Sequence, residues 1–201
     1  MSQLSLGFQQ RLQQLEPRRQ QAFMAALCER MLPNYIFYIR GLYVDNSGQG
    51  DLHGLRVILD LVWEHLMVKG ARIDFDLQAE KLSGLEPPVE DDSFGARRAL
   101  EAVIAIAALL DTLGGEAPEA VLEVSRASRS GVRAFIEMTE GEEDARRLAE
   151  RLRGHPLMED EDDFQDAVLE AVEGQFDAGA LKVLRRLGGN DGISNLGLTL
   201  D

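Results

Sequence analysis

The sequence predicts an all-α fold, a single-domain helical bundle of about seven or eight helices with an extended C-terminal tail. Three observations favour this class. Apolar residues recur every three or four positions along most of the chain, which is the period of an amphipathic helix. No long run of alternating apolar and polar residues, typical of a strand, occurs before the tail. The 201 residues, 45% of them hydrophobic, suffice for one domain with a single core.

The N-terminal residues predict two amphipathic helices that proline residues delimit. Pro17 separates them, because the first helix ends before it and the second begins with it. We expect Pro33 to interrupt the second helix, since an interior proline removes a hydrogen bond and clashes with the preceding turn. A third helix or a kinked continuation then carries an aromatic segment, residues 35–43. Residues 45–51, with the sequence DNSGQGD, indicate a loop after it.

Three further helices are predicted between residues 52 and 113. The first covers about residues 52–69 and is apolar almost all round, as expected of a helix that packs on several sides. A short helix follows at about residues 75–82, and then an acidic connector that contains Pro87 and Pro88. Residues 94–113 carry few charges, which is typical of a central helix in a bundle, so we expect this helix at the core.

Three helices are also predicted in the C-terminal part of the chain. One opens near Pro118, a residue favoured in a first turn, and continues to about residue 138, and a second covers about residues 142–152. One final helix follows the acidic residues 159–163 and is expected to extend to Leu184, because apolar residues recur along it. We expect residues 188–201 to form a non-helical, extended tail that docks on the body of the protein or on a second subunit.

The charge and the cysteine content restrict the partners and the compartment. The chain has 21 basic and 35 acidic residues, a net charge of -14, which repels phosphate backbones and anionic lipid headgroups. Neither nucleic acid nor a membrane is therefore an expected partner. One cysteine forms no intrachain disulfide, residues 1–15 lack the pattern of a signal peptide, and the longest apolar run is too short to span a bilayer. These features predict a cytoplasmic protein.

Five segments, taken in order, are similar to a known family. They are CERMLPNY at residues 28–35, ILDLVWEHLMVK at 58–69, FDLQAEK at 75–81, EVSRAS at 123–128 and SNLG at 194–197. In this order they resemble the YjaG-like family of bacterial proteins, and the similarity covers nearly the whole chain. The resemblance implies an all-helical cytosolic protein, and it implies no reaction, substrate or cofactor.

Carboxylates at helical spacing suggest one possible polar site. Asp60 and Glu64 are four residues apart, and so are Asp76 and Glu80 on the next helix, so packed helices would bring the four together. The complete set of pocket candidates is Glu29, Arg30, Asn34, Asp60, Glu64, Asp76 and Glu80. Such a pocket would bind a small ligand or a divalent cation, with hydrolysis as one possible activity. The alternative is that these acids form ion pairs with basic residues nearby.

Two segments of the chain are rich in charge of one sign. Arg126, Arg129 and Arg133 share one side of a predicted helix. We expect them either to form an anion-binding site or to pair with acidic residues of the same protein. Residues 140–177 contain 14 acidic residues and four arginines. Such a segment is usually a solvated surface, and the alternative is a nucleic-acid mimic that binds a basic protein.

Taken together, these patterns favour a non-enzymatic protein-interaction or scaffold protein, with a homodimer as the expected assembly. Interfaces are enriched in tyrosine and phenylalanine, and the aromatic segment and the tail supply the candidate contact residues. These are Tyr35, Phe37, Tyr38, Tyr43, Leu196 and Leu198. The identity of the protein partner is not predicted. No catalytic residue, metal ligand or cofactor is assigned, because no histidine, serine or cysteine stands at a spacing that catalysis or metal binding requires.

Overall fold

The computed structural model describes residues 6–42, 52–115, 119–141 and 144–200, and the all-α prediction is confirmed within these ranges. They form nine α-helices and one short 3-10 helix, one or two helices more than predicted. The α-helices are α1 (Leu6–Gln14), α2 (Pro17–Leu42), α3 (Gly54–Met67), α4 (Phe75–Ser83), α5 (Phe94–Leu113), α6 (Ala120–Glu140), α7 (Ala145–Arg153), α8 (Pro156–Glu173) and α9 (Ala178–Gly189). The 3-10 helix covers Asn190–Gly192.

The central helix is α2, and the prediction that α5 would take this place was wrong. All residues of α2 from Gln21 to Tyr35 are buried, and the helix contacts α3, α5, α6, α8 and α9. Helix α5 packs along α2 but leaves Ile104 with 55% of its surface exposed. Alanines at positions 22, 25 and 26 explain the difference, since small side chains let several helices approach the axis of α2 closely.

Pro33 does not interrupt α2, contrary to the prediction. The helix continues through it to Leu42, and Pro33 itself is buried. An interior proline costs a helix about 3 kcal/mol. Leu32 just before Pro33 and Tyr35 two residues after it are both buried in the core, so packing on either side of the proline outweighs this local cost.

The predicted final helix is two helices, α8 and α9, which Gly174 and a short turn separate. The Asp177 side chain caps α9, because its Oδ1 accepts a 2.8 Å hydrogen bond from the Ala180 backbone N–H. Similar caps begin other helices: Asp74 caps α4, Ser93 caps α5 and Asp144 caps α7. These caps satisfy the unpaired donors of each first turn and fix where the helix begins.

The C-terminal tail folds back on itself rather than extending along the body. Ile193 and Thr199 form an isolated antiparallel bridge, and the Ser194 backbone N–H donates a 2.8 Å hydrogen bond to the Leu198 carbonyl oxygen. Leu196, at the turn, is buried in a small apolar cluster with residues of α6, α7 and α8. The tail therefore docks on the body of its own chain.

No helix in the described ranges is long and apolar enough to cross a membrane. The most apolar helices, α3 and α5, are 14 and 20 residues long and bury one or more faces against α2. The apolar side chains of these two helices therefore pack in the core of the bundle.

Candidate functional site

A groove of about 500 Å³ lies between the second half of α2, the start of α5 and the C-terminal tail. Its surface is mainly apolar and carries a few polar groups, which is the usual composition of a binding site. The lining residues are Asn34, Phe37, Tyr38, Gly41, Leu42, Asp91, Ser93, Phe94, Gly95, Arg98, Leu196 and Leu198. We call this feature the α2–α5 groove.

Helix α2 supplies the exposed apolar edge of the groove. Phe37 has 47% of its surface exposed and Leu42 has 43%, so both present large apolar side chains to solvent. Tyr38 is buried, and its hydroxyl donates a 2.7 Å hydrogen bond to Asp91 Oδ2. This hydrogen bond, with a second one from the Ser93 backbone N–H to Asp91 Oδ1, holds the pKa of Asp91 below its usual value. The carboxylate thus fixes the connector before α5 to α2.

The start of α5 forms the opposite wall. Gly95 faces Tyr38 of α2, and a Cβ atom at this position would lie 3.4 Å from Cδ2 of the tyrosine ring, which is van der Waals contact. The next turn carries Arg98, whose guanidinium lies 4.8 Å from the centre of the Phe94 ring. A planar cation stacked on an aromatic ring holds its position well and retains its charge.

Arg98 is held from below by a partly buried ion pair. Its Nη2 lies 2.7 Å from Glu101 Oε1, and its Nη1 donates a 3.3 Å hydrogen bond to the Gly131 carbonyl oxygen of α6. Burial raises the pKa of Glu101 to about 7, an effect that the positive charge of Arg98 opposes. Glu101 is therefore partly protonated near neutral pH.

Asn195 holds the tail in place as the third wall. Its Nδ2 donates a 3.1 Å hydrogen bond to the Ser128 carbonyl oxygen, which is able only to accept. This contact fixes the orientation of the amide, so that Oδ1 of Asn195 accepts a 2.8 Å hydrogen bond from Asn34 Nδ2. The Asn195 backbone N–H also donates to the Arg30 carbonyl oxygen, at 3.3 Å. Together these bonds tie the tail to α2 and α6 beside Leu196 and Leu198.

A buried polar cluster continues from Asn195 into the interior. Glu161 of α8 is fully buried, and its Oε1 accepts hydrogen bonds from Ser128 Oγ at 2.5 Å and from Gln165 Nε2 at 2.7 Å. Arg30 is its ionic partner, with 3.5 Å between Arg30 Nε and Glu161 Oε2, and the guanidinium lies 4.1 Å from the centre of the Phe164 ring. Burial raises the pKa of Glu161, which these hydrogen bonds and Arg30 partly offset.

The structure brings four of the predicted contact residues together. Phe37, Tyr38, Leu196 and Leu198 all line the α2–α5 groove, although Tyr38 and Leu196 are largely buried. Tyr35 is buried in the core, and Tyr43 lies outside the described residues. Of the aromatic residues predicted to form an interface, Phe37 is the exposed one in the described part of the chain.

The seven predicted pocket residues separate into different places. Glu29 and Asp60 share the arginines Arg56 and Arg185, whereas Arg30 and Asn34 belong to the buried cluster beneath the tail. The other three, Glu64, Asp76 and Glu80, are exposed. In the described ranges, no group of three or more histidine, cysteine, aspartate or glutamate side chains is placed to hold a metal ion. The structure thus does not assemble the predicted carboxylate pocket.

The predicted arginine stripe on α6 pairs largely with acids of the same chain. Arg129 Nε lies 2.6 Å from Asp162 Oδ1, and Arg133 Nε lies 2.6 Å from Glu137 Oε1, while Arg126 is exposed. Several acids of residues 140–177 are likewise engaged: Glu161 is buried and Glu173 pairs with Arg11. Of the two alternatives for the three arginines, an anion site or internal ion pairs, the observed contacts are internal ion pairs for Arg129 and Arg133.

Sequence reasoning did not single out Leu42, Phe94 or Arg98 as groove residues. A signal for Arg98 was available, since Arg98 and Glu101 are oppositely charged and three residues apart in a predicted helix that carries few charges. Phe94 carried no comparable signal, because its role depends on the tail and on α6.

Comparison with known proteins places the chain in a family. The model of the family described as "Protein of unknown function (DUF416)" matches residues 7–199. The protein named "Uncharacterized protein YjaG" of Escherichia coli (strain K12) is 37% identical over 94% of each chain, and an uncharacterized protein of Haemophilus influenzae is 40% identical over 65% of this chain and 66% of its own. A crystal structure of a DUF416 family protein from Shewanella baltica OS155 superposes with a TM-score of 0.82 at 30% identity and covers 95% of this chain and 97% of its own. The chain therefore belongs to the DUF416 family of bacterial proteins, to which YjaG also belongs.

Proposed function

We propose that this protein is a cytoplasmic protein-interaction or scaffold protein, and that its α2–α5 groove binds a basic, amphipathic segment of another protein. The observation that carries the proposal is that two exposed apolar side chains, Phe37 and Leu42, share one groove with the carboxylate of Asp91. Aromatic side chains such as that of Phe37 are enriched at the core of protein interfaces, and burial of apolar surface favours binding. The proposal needs no reaction and no cofactor.

The apolar part of the groove favours an apolar anchor from the partner. Phe37 and Leu42 are close to half exposed, and they stand on a helix that the rest of the fold holds rigidly. A partner that covers these side chains removes apolar surface from water. Binding loses little conformational entropy of α2, because this helix is already folded and buried along most of its length. We expect a leucine, methionine or aromatic side chain of the partner to enter the groove.

Charge favours a basic rather than an acidic partner. The connector that borders the groove carries Glu86, Glu90 and Asp92, all exposed, and Asp91 within the lining. The chain as a whole has a net charge of -14. Such a field raises the association rate of positively charged partners and slows that of negatively charged ones. Lysine or arginine residues beside the apolar anchor would therefore face the connector.

The test is a selection of peptides that bind the purified full-length chain from a displayed random library. We expect enriched peptides to combine an apolar anchor with lysine or arginine. Binding of a labelled peptide, measured by fluorescence anisotropy, should weaken at least tenfold in the double variant Phe37→Ser with Leu42→Ser. The matched control is Val183→Ser, which removes a side chain that is 61% exposed on α9, away from the groove. This control should bind as the unmodified chain does.

Salt and charge variants test the basic character of the partner. Affinity should fall as ionic strength rises, and Glu90→Gln with Asp92→Asn should lower the association rate constant. Enrichment of acidic peptides, enrichment of peptides that bind the Phe37→Ser, Leu42→Ser variant equally well, or no enrichment would each contradict the proposal.

A second copy of the same chain is the other possible occupant of the groove. Sedimentation equilibrium at micromolar concentration tests for it by measuring whether the chain is a dimer. A dimer that the Phe37→Ser, Leu42→Ser variant converts to a monomer would assign the groove to the homodimer expected from the sequence and overturn the proposal of a different partner. A monomer, or a dimer that keeps its mass in the variant, leaves the groove open to the basic segment.

A further inference from the structure

A second cleft, of about 600 Å³, lies between α9, the middle of α2 and the end of α3, on residues that the α2–α5 groove does not use. Its lining residues are Glu29, Met67, Lys182, Arg185, Arg186, Gly189, Asp191 and Gly192. Among the described residues the lining contains no aromatic side chain, and most of its charged groups come from one face of α9. We call this feature the α9 cleft.

The floor of the cleft is a fixed arrangement of arginines around one buried carboxylate. Glu29 is 3% exposed, and its Oε1 accepts hydrogen bonds from Trp63 Nε1 at 2.9 Å and from Arg56 Nη1 at 2.8 Å. Arg185 Nε lies 3.3 Å from the same oxygen, and Arg185 Nη2 donates to Asp60 Oδ1. Because Glu29 is surrounded by these donors, its charge is compensated, and Arg185 is held in one position at the cleft.

The mouth of the cleft carries cations that the described fold does not neutralise. Lys182 and Arg186 are exposed, and neither side chain forms an ion pair with another described residue. Helix α9 contains three basic residues and no acidic residue, in a chain that has 35 acidic residues. Lys182, Arg185 and Arg186 are three and four residues apart, so they lie on one face of the helix. A positive surface of this kind on a strongly acidic protein is suited to an anion.

We propose that the α9 cleft binds a small molecule through a phosphate group, either a phosphomonoester or a diphosphate. Arginine and lysine side chains that line one space bind phosphate oxygens by charge-assisted hydrogen bonds. Glu29 and Asp60 hold Arg185 at the cleft, and Lys182 and Arg186 are exposed beside it. The cleft has the volume of a small-molecule site, and its described lining offers no aromatic ring that would stack on a base. Lining charges comprise three cations and two carboxylates, Glu29 and Asp191.

The first experiment titrates the full-length chain with pyrophosphate and, separately, with orthophosphate by calorimetry, in a buffer of constant ionic strength. We expect both anions to bind, with pyrophosphate the tighter because it carries more charge. Saturating pyrophosphate, at about 100 times its dissociation constant, should raise the melting temperature by about 5 to 10 °C. The double variant Lys182→Gln with Arg186→Gln should weaken binding at least tenfold.

Arginines on another helix provide the matched control. Arg126→Gln with Arg133→Gln removes the same amount of charge from α6, where Arg126 is exposed and Arg133 pairs with Glu137. This variant should retain the affinity of the unmodified chain. If it loses the affinity and the α9 variant does not, the anion binds the arginine stripe of α6 and the proposal is wrong.

A gain of affinity provides a test that does not depend on damage to the fold. Asp191 borders the cleft and has a left-handed backbone, with φ of 52°, which asparagine tolerates as well as aspartate does. Asp191→Asn removes one negative charge from the mouth and should tighten pyrophosphate binding about two- to fivefold. Unchanged or weaker binding in this variant, equal thermal shifts in all variants, or no binding by the unmodified chain would overturn the proposal.

Discussion

Gly188 of α9 packs directly against the backbone of Ala26 on α2. A Cβ atom at position 188 would lie 2.7 Å from the Ala26 carbonyl oxygen and 2.9 Å from its Cα atom. Backbone atoms cannot move aside as the end of a flexible side chain can, so only glycine allows this approach of the two helices. The contact sets how closely α9, and with it the α9 cleft, is held to the centre of the bundle.

Replacing Gly188 with alanine is therefore expected to lower the free energy of unfolding by about 1 to 3 kcal/mol, the usual cost of forcing extra volume into a packed core. The neighbouring Gly189 is the control. It has an ordinary helical φ of -64°, and a Cβ atom there would have no other atom within 4 Å. Gly189→Ala should leave stability unchanged or raise it by up to about 1 kcal/mol. Urea denaturation measures both, and equal effects would show that the contact with Ala26 is unimportant.

The second prediction concerns Glu161, whose burial with Arg30 makes truncation costly. Glu161→Ala should lower the free energy of unfolding by about 3 to 5 kcal/mol, because Arg30, Ser128 and Gln165 then all stay buried without the side chain that they contact. Glu161→Gln should cost less than half as much, since its carbonyl oxygen can still accept from Ser128 and Gln165. Chemical denaturation at pH 7 measures the two values. A glutamine variant as unstable as the alanine variant would mean that charge, rather than hydrogen bonding, dominates this cluster.

Most of the helices could be predicted from the sequence because the signals for them are local. Apolar spacing placed α3 to α7 within a few residues of their observed ends. Two errors have different physical causes. Pro33 was expected to break α2 because the burial that retains the helix depends on distant segments. The break between α8 and α9 was missed because apolar spacing outweighed a local signal, the cap at Asp177.

The third prediction concerns Asn195, whose side chain ties the tail to α2 and α6. Asn195→Ala removes the acceptor of Asn34 and the donor to Ser128, so we expect a loss of about 1 to 3 kcal/mol. Asn195→Asp should cost at least as much, since a carboxylate would then face the Ser128 carbonyl oxygen. Hydrogen exchange of residues 193–200 should increase in both variants. Protection equal to that of the unmodified chain would show that Leu196 alone holds the tail.

The candidate sites were less predictable than the fold, for a reason that Arg98 illustrates. Aromatic enrichment was sufficient to select Phe37 and Tyr38, because it is a property of the sequence itself. The groove position of Arg98 depends on the Gly131 carbonyl oxygen of α6 and on the neighbouring tail, which only the tertiary structure brings together. The α9 cleft likewise depends on Glu29 of α2, which lies more than 150 positions before Arg185 in the chain.

The fourth prediction is a pH dependence of stability that arises from Glu101. Its pKa is raised to about 7 in the folded protein, mainly by burial, from an ordinary value of 4.5. The folded state therefore binds a proton at this site more tightly than the unfolded state does. It follows that Glu101 lowers stability progressively as the pH rises from about 4.5 to 7, and that this loss is absent below the lower value.

Glu101→Gln isolates this effect, because glutamine resembles the protonated side chain at every pH. Its stability relative to the unmodified chain should increase by about 2 kcal/mol between pH 4.5 and pH 8, a value reduced from the full pKa shift because the carboxylate is partly exposed. The substitution also removes the 2.7 Å ion pair between Arg98 and Glu101, and this loss reduces the gain in stability. Urea denaturation of both proteins across this range measures the difference. A difference in stability that stays constant with pH would show that Glu101 keeps its ordinary pKa, with Arg98 compensating its burial in full.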